Sequence, residues 1–260
     1  MLWVGHSTTH DDDHTRYVSR GLHALSVAID ELQEWYKTLD NDDFPLFDED
    51  MKAPANHPRF FPFAYRYPLV GEDFCTVVEF EYLCPLQPDQ STCVTFRAMT
   101  KSPKKQVVVK FVQRYSGEVH DILAAVGMAP SLLYYGRIDP DVDYGTWKMV
   151  VMDYFDGKPS YDGDRHRDAE VSKKVFEAIK VVHSAGYVLG DVRPPNVMIG
   201  EEDQVMLIDF DWAGKEGGVR YPAYMSEGIW TDGIERMEEI KMTHDTDMHQ
   251  KWFSPNSPRK

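Results

Sequence analysis

The spacing of apolar positions changes character twice along the chain. Residues 1 to about 20 are polar and predict a mobile, solvated tail. From about Gly21 to Leu39, Leu22, Leu25, Val27, Ile29, Leu32, Trp35 and Tyr36 make a ragged apolar face and predict a helix. Residues 40–58 are acidic and contain proline, as a linker or loop does. The aromatic run Arg59–Tyr65 is expected to pack on a neighbour. Strand patterns then dominate: Thr76–Leu83, Thr92–Met99, Gln106–Val112, Leu132–Ile138 and Trp147–Tyr154. Among them Gly117–Val126 predicts a short helix, stopped by Gly127. Asp168–Ser184 has the clearest helical period, with Val171, Val175, Ile179 and Val182 recurring every three or four residues. Two short strands, Asn196–Ile199 and Gln204–Ile208, flank the turn Gly200–Asp203. From Trp212 the chain reads as polar and irregular, with at most one or two helices. The predicted fold is α+β: a β-rich half with one helix, a mainly helical half holding a hairpin, and a cleft between them.

Composition narrows the function classes. The net charge is −15, from 43 acidic residues against 28 Lys and Arg, which argues against a general nucleic-acid grip. A small anionic ligand needs only a few local cations and stays open. Cys75, Cys84 and Cys93 are odd in number and nine residues apart, neither a disulfide framework nor a metal-binding spacing. They read as reduced core thiols of an intracellular protein, cytoplasmic or nuclear. No apolar run approaches the ~18 residues of a membrane span, and the start Met1–His6 is too short for a signal-peptide core. His6, His10 and His14 share a helical spacing that could hold a transition metal, but a solvated tail is the better reading, since no apolar stripe would hold that helix.

Candidate chemistry gathers in two places. The first is Leu189-Gly190-Asp191-Val192-Arg193-Pro194-Pro195-Asn196, followed by Ile208-Asp209-Phe210-Asp211. A hairpin turn centred between Glu202 and Asp203 would set Asn196 directly opposite Asp209. Their oxygens are hard ligands suited to Mg²⁺. Asp191 lies on the loop entering the hairpin, which Pro194-Pro195 stiffen. The second place is Lys110, inside the apolar run Gln106–Val112. A buried ammonium needs a counter-charge. Glu118, in the first turn of the next helix, is the expected partner, with Asp121 and His120 as alternatives. Lys110 held so and facing a cleft would suit phosphate oxygens.

In this order, Val109-Lys110, Glu118, Asp191 with Asn196, and Asp209-Phe210 resemble the protein-kinase-like fold. The stretches YSGEVHDILAAVGMAP, VVMDYF, GDVRPPNVMI and IDFDWAG look most like the divergent fungal-type kinase-like proteins. The resemblance covers about residues 76–215. It implies a β-rich N-lobe with one helix at 70–157, an abbreviated helical C-lobe at 158–260, and an N-terminal extension at 1–69. It further implies ATP and Mg²⁺ as cofactors. Lys110 would hold the phosphates and Glu118 would orient Lys110. Asp191 would be the catalytic base, and Arg193 would stand where the family has a phosphate-contacting lysine. Asn196 and Asp209 would hold the metal. Met152 resembles the gatekeeper and Asp153 to Phe155 the hinge that meets adenine. Three features depart from the pattern. No GxGxxG precedes Lys110, since residues 84–91 contain two prolines and no glycine. Leu189-Gly190 replaces His-Arg. Asp211 replaces the glycine of Asp-Phe-Gly, and could bind a second ion or repel phosphate. The implied function is phosphoryl transfer from ATP to a protein Ser/Thr hydroxyl. The alternatives are a small-molecule kinase of the aminoglycoside or choline kinase kind, which Gly190-Asp191 resembles, and a pseudokinase acting as a binding module. The partner is a nucleotide, with no nucleic acid and no membrane.

Overall fold

The structure, a computed structural model, describes residues 12–38, 64–69, 76–87, 94–225, 230–231 and 233–254. The chain divides into two compact units, Met1–Ala53 and Pro54–Lys260. Of the first unit the described part is one helix, α1, Asp12–Thr38. It begins well before the predicted Gly21, so residues 12–20 are helical and not a tail. Its apolar residues Leu22, Leu25, Ile29 and Leu32 remain exposed.

The second unit opens with an antiparallel sheet of six strands. They are β1 (Arg66–Pro68), β2 (Val77–Pro85), β3 (Thr95–Thr100), β4 (Gln106–Val112), β5 (Leu132–Arg137) and β6 (Lys148–Asp153), in the order β1-β2-β3-β4-β6-β5. β1 was not legible as a strand, and it brings residues assigned to the extension into the N-lobe sheet. The central strands are apolar on both faces. From β4, Val107, Val109 and Phe111 join Phe80, Phe96 and Met149 in a core on one face. Val108 and Val112 lie on the other face, with Val150 and Met152 of β6. Period-2 alternation puts Lys110 on this second face. Cys84 and Pro85 belong to β2, so the supposed loop starts later, and its residues 88–91 lie outside the described residues, as do Cys75 and Cys93. Cys84 is exposed, which corrects its reading as a core thiol.

The helix α2, Gly117–Ala125, follows β4. Ser116 caps it, its Oγ accepting from Val119 N–H at 3.3 Å. Its Val119 and Leu123 are fully buried, but in the core of the C-lobe. The connection onward does the same: Leu207 N–H donates to Met128 O at 2.8 Å.

The C-lobe is built round α3, Ala169–Ser184, whose Val171, Val175, Ile179 and Val182 face inward as predicted. The short strands β7 (Lys158–Pro159), β9 (Val197–Ile199) and β10 (Val205–Leu207) make one small sheet. β8 (Tyr187–Val188) and β11 (Gly214–Lys215) make another. The segment after Trp212 is not an irregular appendage. It carries α4, Met242–Phe253, and buries Tyr221, Ile240, Met248 and Phe253 almost completely. Among the described residues no helix is long and apolar enough to cross a membrane.

Candidate active site

Lys110 projects from the second face of β4 with 11% of its side chain exposed. Its ammonium lies 2.8 Å from Asp209 Oδ1 and 2.6 Å from Asp211 Oδ1. Burial works against its charge, yet the two carboxylates outweigh this and hold its pKa above the ordinary lysine value. The counter-charge expected of a buried lysine is therefore present, but Glu118 does not supply it. Glu118 is exposed, and its contact is Ser116 Oγ, at 3.4 Å. The reason is the seating of α2. Ser116 N–H donates to Phe210 O at 3.1 Å, and the helix turns Val119 and His120 inward, which leaves Glu118 and Asp121 toward solvent. His120 is not the partner either. Its Nε2–H donates to Pro130 O at 2.7 Å, since a carbonyl only accepts, so its Nδ1 accepts from the Tyr115 hydroxyl at 2.7 Å. The imidazole lies 4.9 Å from the Phe210 ring, and burial lowers its pKa.

The hairpin forms as predicted in kind but not in register. Its turn Glu201–Asp203 is centred on Glu202, and Glu202 and Asp203 take φ of +52° and +57°. Met206 pairs with Met198, and Ile208 N–H donates to Asn196 O at 2.9 Å. Asn196 thus stands opposite Ile208, one residue from the expected Asp209. The two still meet. Asp209 leaves the strand with φ +69°, a kink that Asp tolerates better than most side chains. Asp191, Asn196 and Asp209 then line one small pocket with Val192 and Phe210.

Asp191 is the anchor of its loop. Its side chain is 9% exposed and carries a paired Arg193, with Nε donating to Oδ1 and Nη2 to Oδ2 at 2.7 Å. Asn196 Nδ2 donates to Asp191 Oδ2 at 2.8 Å and to its backbone O at 3.1 Å. Burial raises the Asp191 pKa, and the Arg193 and Asn196 hydrogen bonds offset only part of that. Gly190 has φ +78°, and a Cβ there would stand 3.0 Å from Ile240 Cδ1 and 3.2 Å from Trp212 O. Only glycine fits.

Asp245, on α4, was not singled out from sequence. It is fully buried and accepts from Leu189 N–H at 2.8 Å and Gly190 N–H at 2.7 Å. His183 Nε2, 2.9 Å away, completes its partners. This carboxylate fixes the backbone immediately before Asp191.

Asp211 is pushed from 3.8 up to about 7, first by burial and then by the neighbouring Asp209 carboxylate. Asp209 goes the other way, because Lys110 more than offsets its own burial. A carboxyl with a raised folded-state pKa binds more protons folded than unfolded. Its stabilising contribution is thus full at low pH and is lost as pH climbs from about 4 through about 7. Asp211→Asn should flatten the fall in unfolding free energy over that window, measured by urea denaturation. A slope equal to the parent's would show that Asp211 is not the titrating group.

The hinge candidates sit at the end of β6. Met152 is 6% exposed, opposite Val108. Asp153 is paired with Lys105 at 2.6 Å. Phe155 packs so closely on Gly157 and Gly200 that a Cβ at either would meet its ring at 2.5 Å. Arg97, not singled out from sequence, lies 4.2 Å from the Tyr154 ring centroid and donates to Gln106 Oε1 at 2.8 Å.

The donor set suits a hard divalent cation. Asp209 and Asp211 share one ammonium, which leaves surplus negative charge. Asn196 spends its N–H donors on Asp191, and its carbonyl oxygen has no partner among the described residues. Among the described residues no three His, Cys, Asp or Glu side chains are already gathered round one point.

No protein-family model matches the sequence. Maternal embryonic leucine zipper kinase of Xenopus laevis is 31% identical over 81 residues, which is 28% of this chain and 12% of that kinase's length. The chain thus spans a small part of that curated relative. Among solved structures, the kinase PK-1 of Cydia pomonella granulovirus superposes with a TM-score of 0.52 at 18% identity, covering 66% of each chain. Neither match speaks for the fungal-type part of the resemblance. The architecture of the second unit, a six-stranded sheet with helix α2 followed by a mainly helical lobe, is that of a protein-kinase-like fold.

Proposed function

We propose that the chain is an ATP- and Mg²⁺-dependent phosphotransferase of the fungal-type kinase-like kind, acting on a protein Ser/Thr hydroxyl. One observation carries this reading. Asp191 and Asn196 from one loop and Asp209 from another line one small pocket, and Lys110 of β4 pairs with that Asp209, so charge or hydrogen bonds link all four. Mg²⁺, held by Asp209, Asp211 and Asn196, would supply charge neutralisation on the transferring phosphoryl group. Lys110 would exchange Asp211 for a phosphate oxygen. Asp191 would accept the hydrogen bond of the acceptor hydroxyl and orient it, and Arg193 would keep Asp191 in place. A small-molecule acceptor is the second reading. It is favoured by Gly190, held at φ +78° directly before Asp191, in the Gly-Asp pair that resembles the aminoglycoside and choline kinases.

Thermal melts with ATP, with and without Mg²⁺, test the nucleotide site. Specific binding at 100 times the dissociation constant stabilises by about 2.7 kcal/mol. No shift at millimolar MgATP would reject the reading. Labelled-phosphate transfer to the chain itself, to casein and to a panel of hydroxyl metabolites separates the acceptor classes. A shift without any transfer would assign a nucleotide-binding pseudokinase instead.

A further inference from the structure

Among the described residues Arg193 has two close contacts that differ in kind. The carboxylate of Asp191 takes one edge of its guanidinium. The ring of Trp230, whose centroid lies 5.4 Å from Arg193 Cζ, supplies the other contact. Trp230 comes from 37 residues further along the chain. It is itself held by aromatic neighbours: Trp212 at 4.9 Å and 30°, and Tyr221 at 5.5 Å and 62°. Lys251 also donates to its backbone carbonyl. Trp212 directly follows Asp211, so the cluster joins the loop of Asp191 to the segment of Asp209 and Asp211.

We propose that Trp230 is a positioning residue for the reaction: its ring fixes the plane of the Arg193 guanidinium, and Arg193 in turn fixes the carboxylate of Asp191. Arginine is long and rotamer-rich, and a carboxylate pair alone leaves it free to swing about that edge. A ring within cation–π distance removes this freedom. The indole Nε1–H of Trp230 is buried and has no hydrogen-bond partner among the described residues. A buried orphan donor costs stability. What the residue offers at this position is its ring and not its donor. Arg193 is partly buried, at 21% exposure, where such a contact is less weakened by water than on an open surface.

The kinetic arm of the test rests on the phosphotransferase reading, and the stability arm does not. Trp230→Leu, Arg193→Gln and the double variant are compared with the parent. In urea denaturation, the double variant's unfolding constant should depart from the product of the single effects by about threefold to fivefold, the scale of a cation–π contact. A simple product would overturn the proposal. In turnover, Trp230→Leu should lower kcat tenfold or more with KM for ATP changed less than twofold. In the Arg193→Gln background it should add less than a twofold loss. Trp230→Phe, which keeps a ring, should recover to within threefold of the parent. An equal loss in both backgrounds would mean a merely structural role and overturn the proposal. Should Trp230→Leu not fold, the Arg193 Nε–H resonance is followed instead, assigned by its loss in Arg193→Gln. It should move in Trp230→Phe, and an unmoved resonance would overturn the proposal. A parent that transfers no phosphate but shows the stability coupling would uphold the positioning and reject the phosphotransferase.

Discussion

Asp191→Asn is expected to lower turnover by about 10²-fold or more, the usual scale for a positioned acid or base, while MgATP affinity stays within about twofold. The carboxylate is buried and accepts from Arg193 on one side and Asn196 on the other. Asn keeps its shape but has one acceptor oxygen, so its amide N–H must face a donor. That mismatch costs about 1–3 kcal/mol of stability, and the variant's fold is checked by circular dichroism. Binding should survive, because Lys110 and Asp209 belong to a separate ion cluster. Asp209→Asn offers the contrast. It removes a candidate metal ligand and a partner of Lys110, so Mg²⁺-dependent affinity itself should fall. Calorimetry and turnover on both variants separate the roles. If Asp191→Asn were as active as the parent, its catalytic assignment would be wrong.

The largest stability loss is expected at Asp245. Asp245→Leu leaves the buried N–H groups of Leu189 and Gly190, and the half-buried ring N–H of His183, without this acceptor. At about 1–3 kcal/mol for each unmade buried hydrogen bond, a total of about 3–5 kcal/mol is reasonable. That is a large share of the about 5–15 kcal/mol that holds a typical domain. Asp245→Asn keeps one acceptor and should fall between. Urea denaturation measures both. A loss below about 1 kcal/mol for Asp245→Leu would show that other groups hold this loop.

These two residues also mark the limits of reading the chain as a string. Asp191 was legible because its meaning is local: a Gly before it, two prolines after it, and a strand pair beyond. The strands β4 and β6 and the helix α3 were legible for the same reason, since period and composition are properties of a short window. Asp245 sits in a polar helix 55 residues from the amides it serves. Nothing in its own window distinguishes it from a surface acid. Lys110 shows the intermediate case. An ammonium on an apolar strand demands a counter-charge, and that demand was visible. Its supplier was not, because the nearest acid in sequence, Glu118, is turned away by the seating of α2, and the true partners lie 99 and 101 residues on. The hairpin register failed by one residue because the turn closes round Glu202, with two successive residues at positive φ, a conformation sequence did not announce. The core after Trp212 was missed because its buried residues, Tyr221, Ile240 and Met248, are too widely spaced to set a period.

The placement of α2 has a mechanical consequence. Its Val119 and Leu123 are set in the lower core, and both its ends are tied there, by Ser116 N–H to Phe210 O and by Leu207 N–H to Met128 O. The helix is therefore seated in the lower jaw, while Gly117 at its start packs on Tyr135 of β5 in the upper one. The chain passes between the two at residues 113–115, 129–131 and 154–157. Lys110 rides on the upper jaw and its two acids on the lower, so this ammonium is a latch between them. An incoming phosphate that displaced Asp211 would change the latch's partner without releasing it.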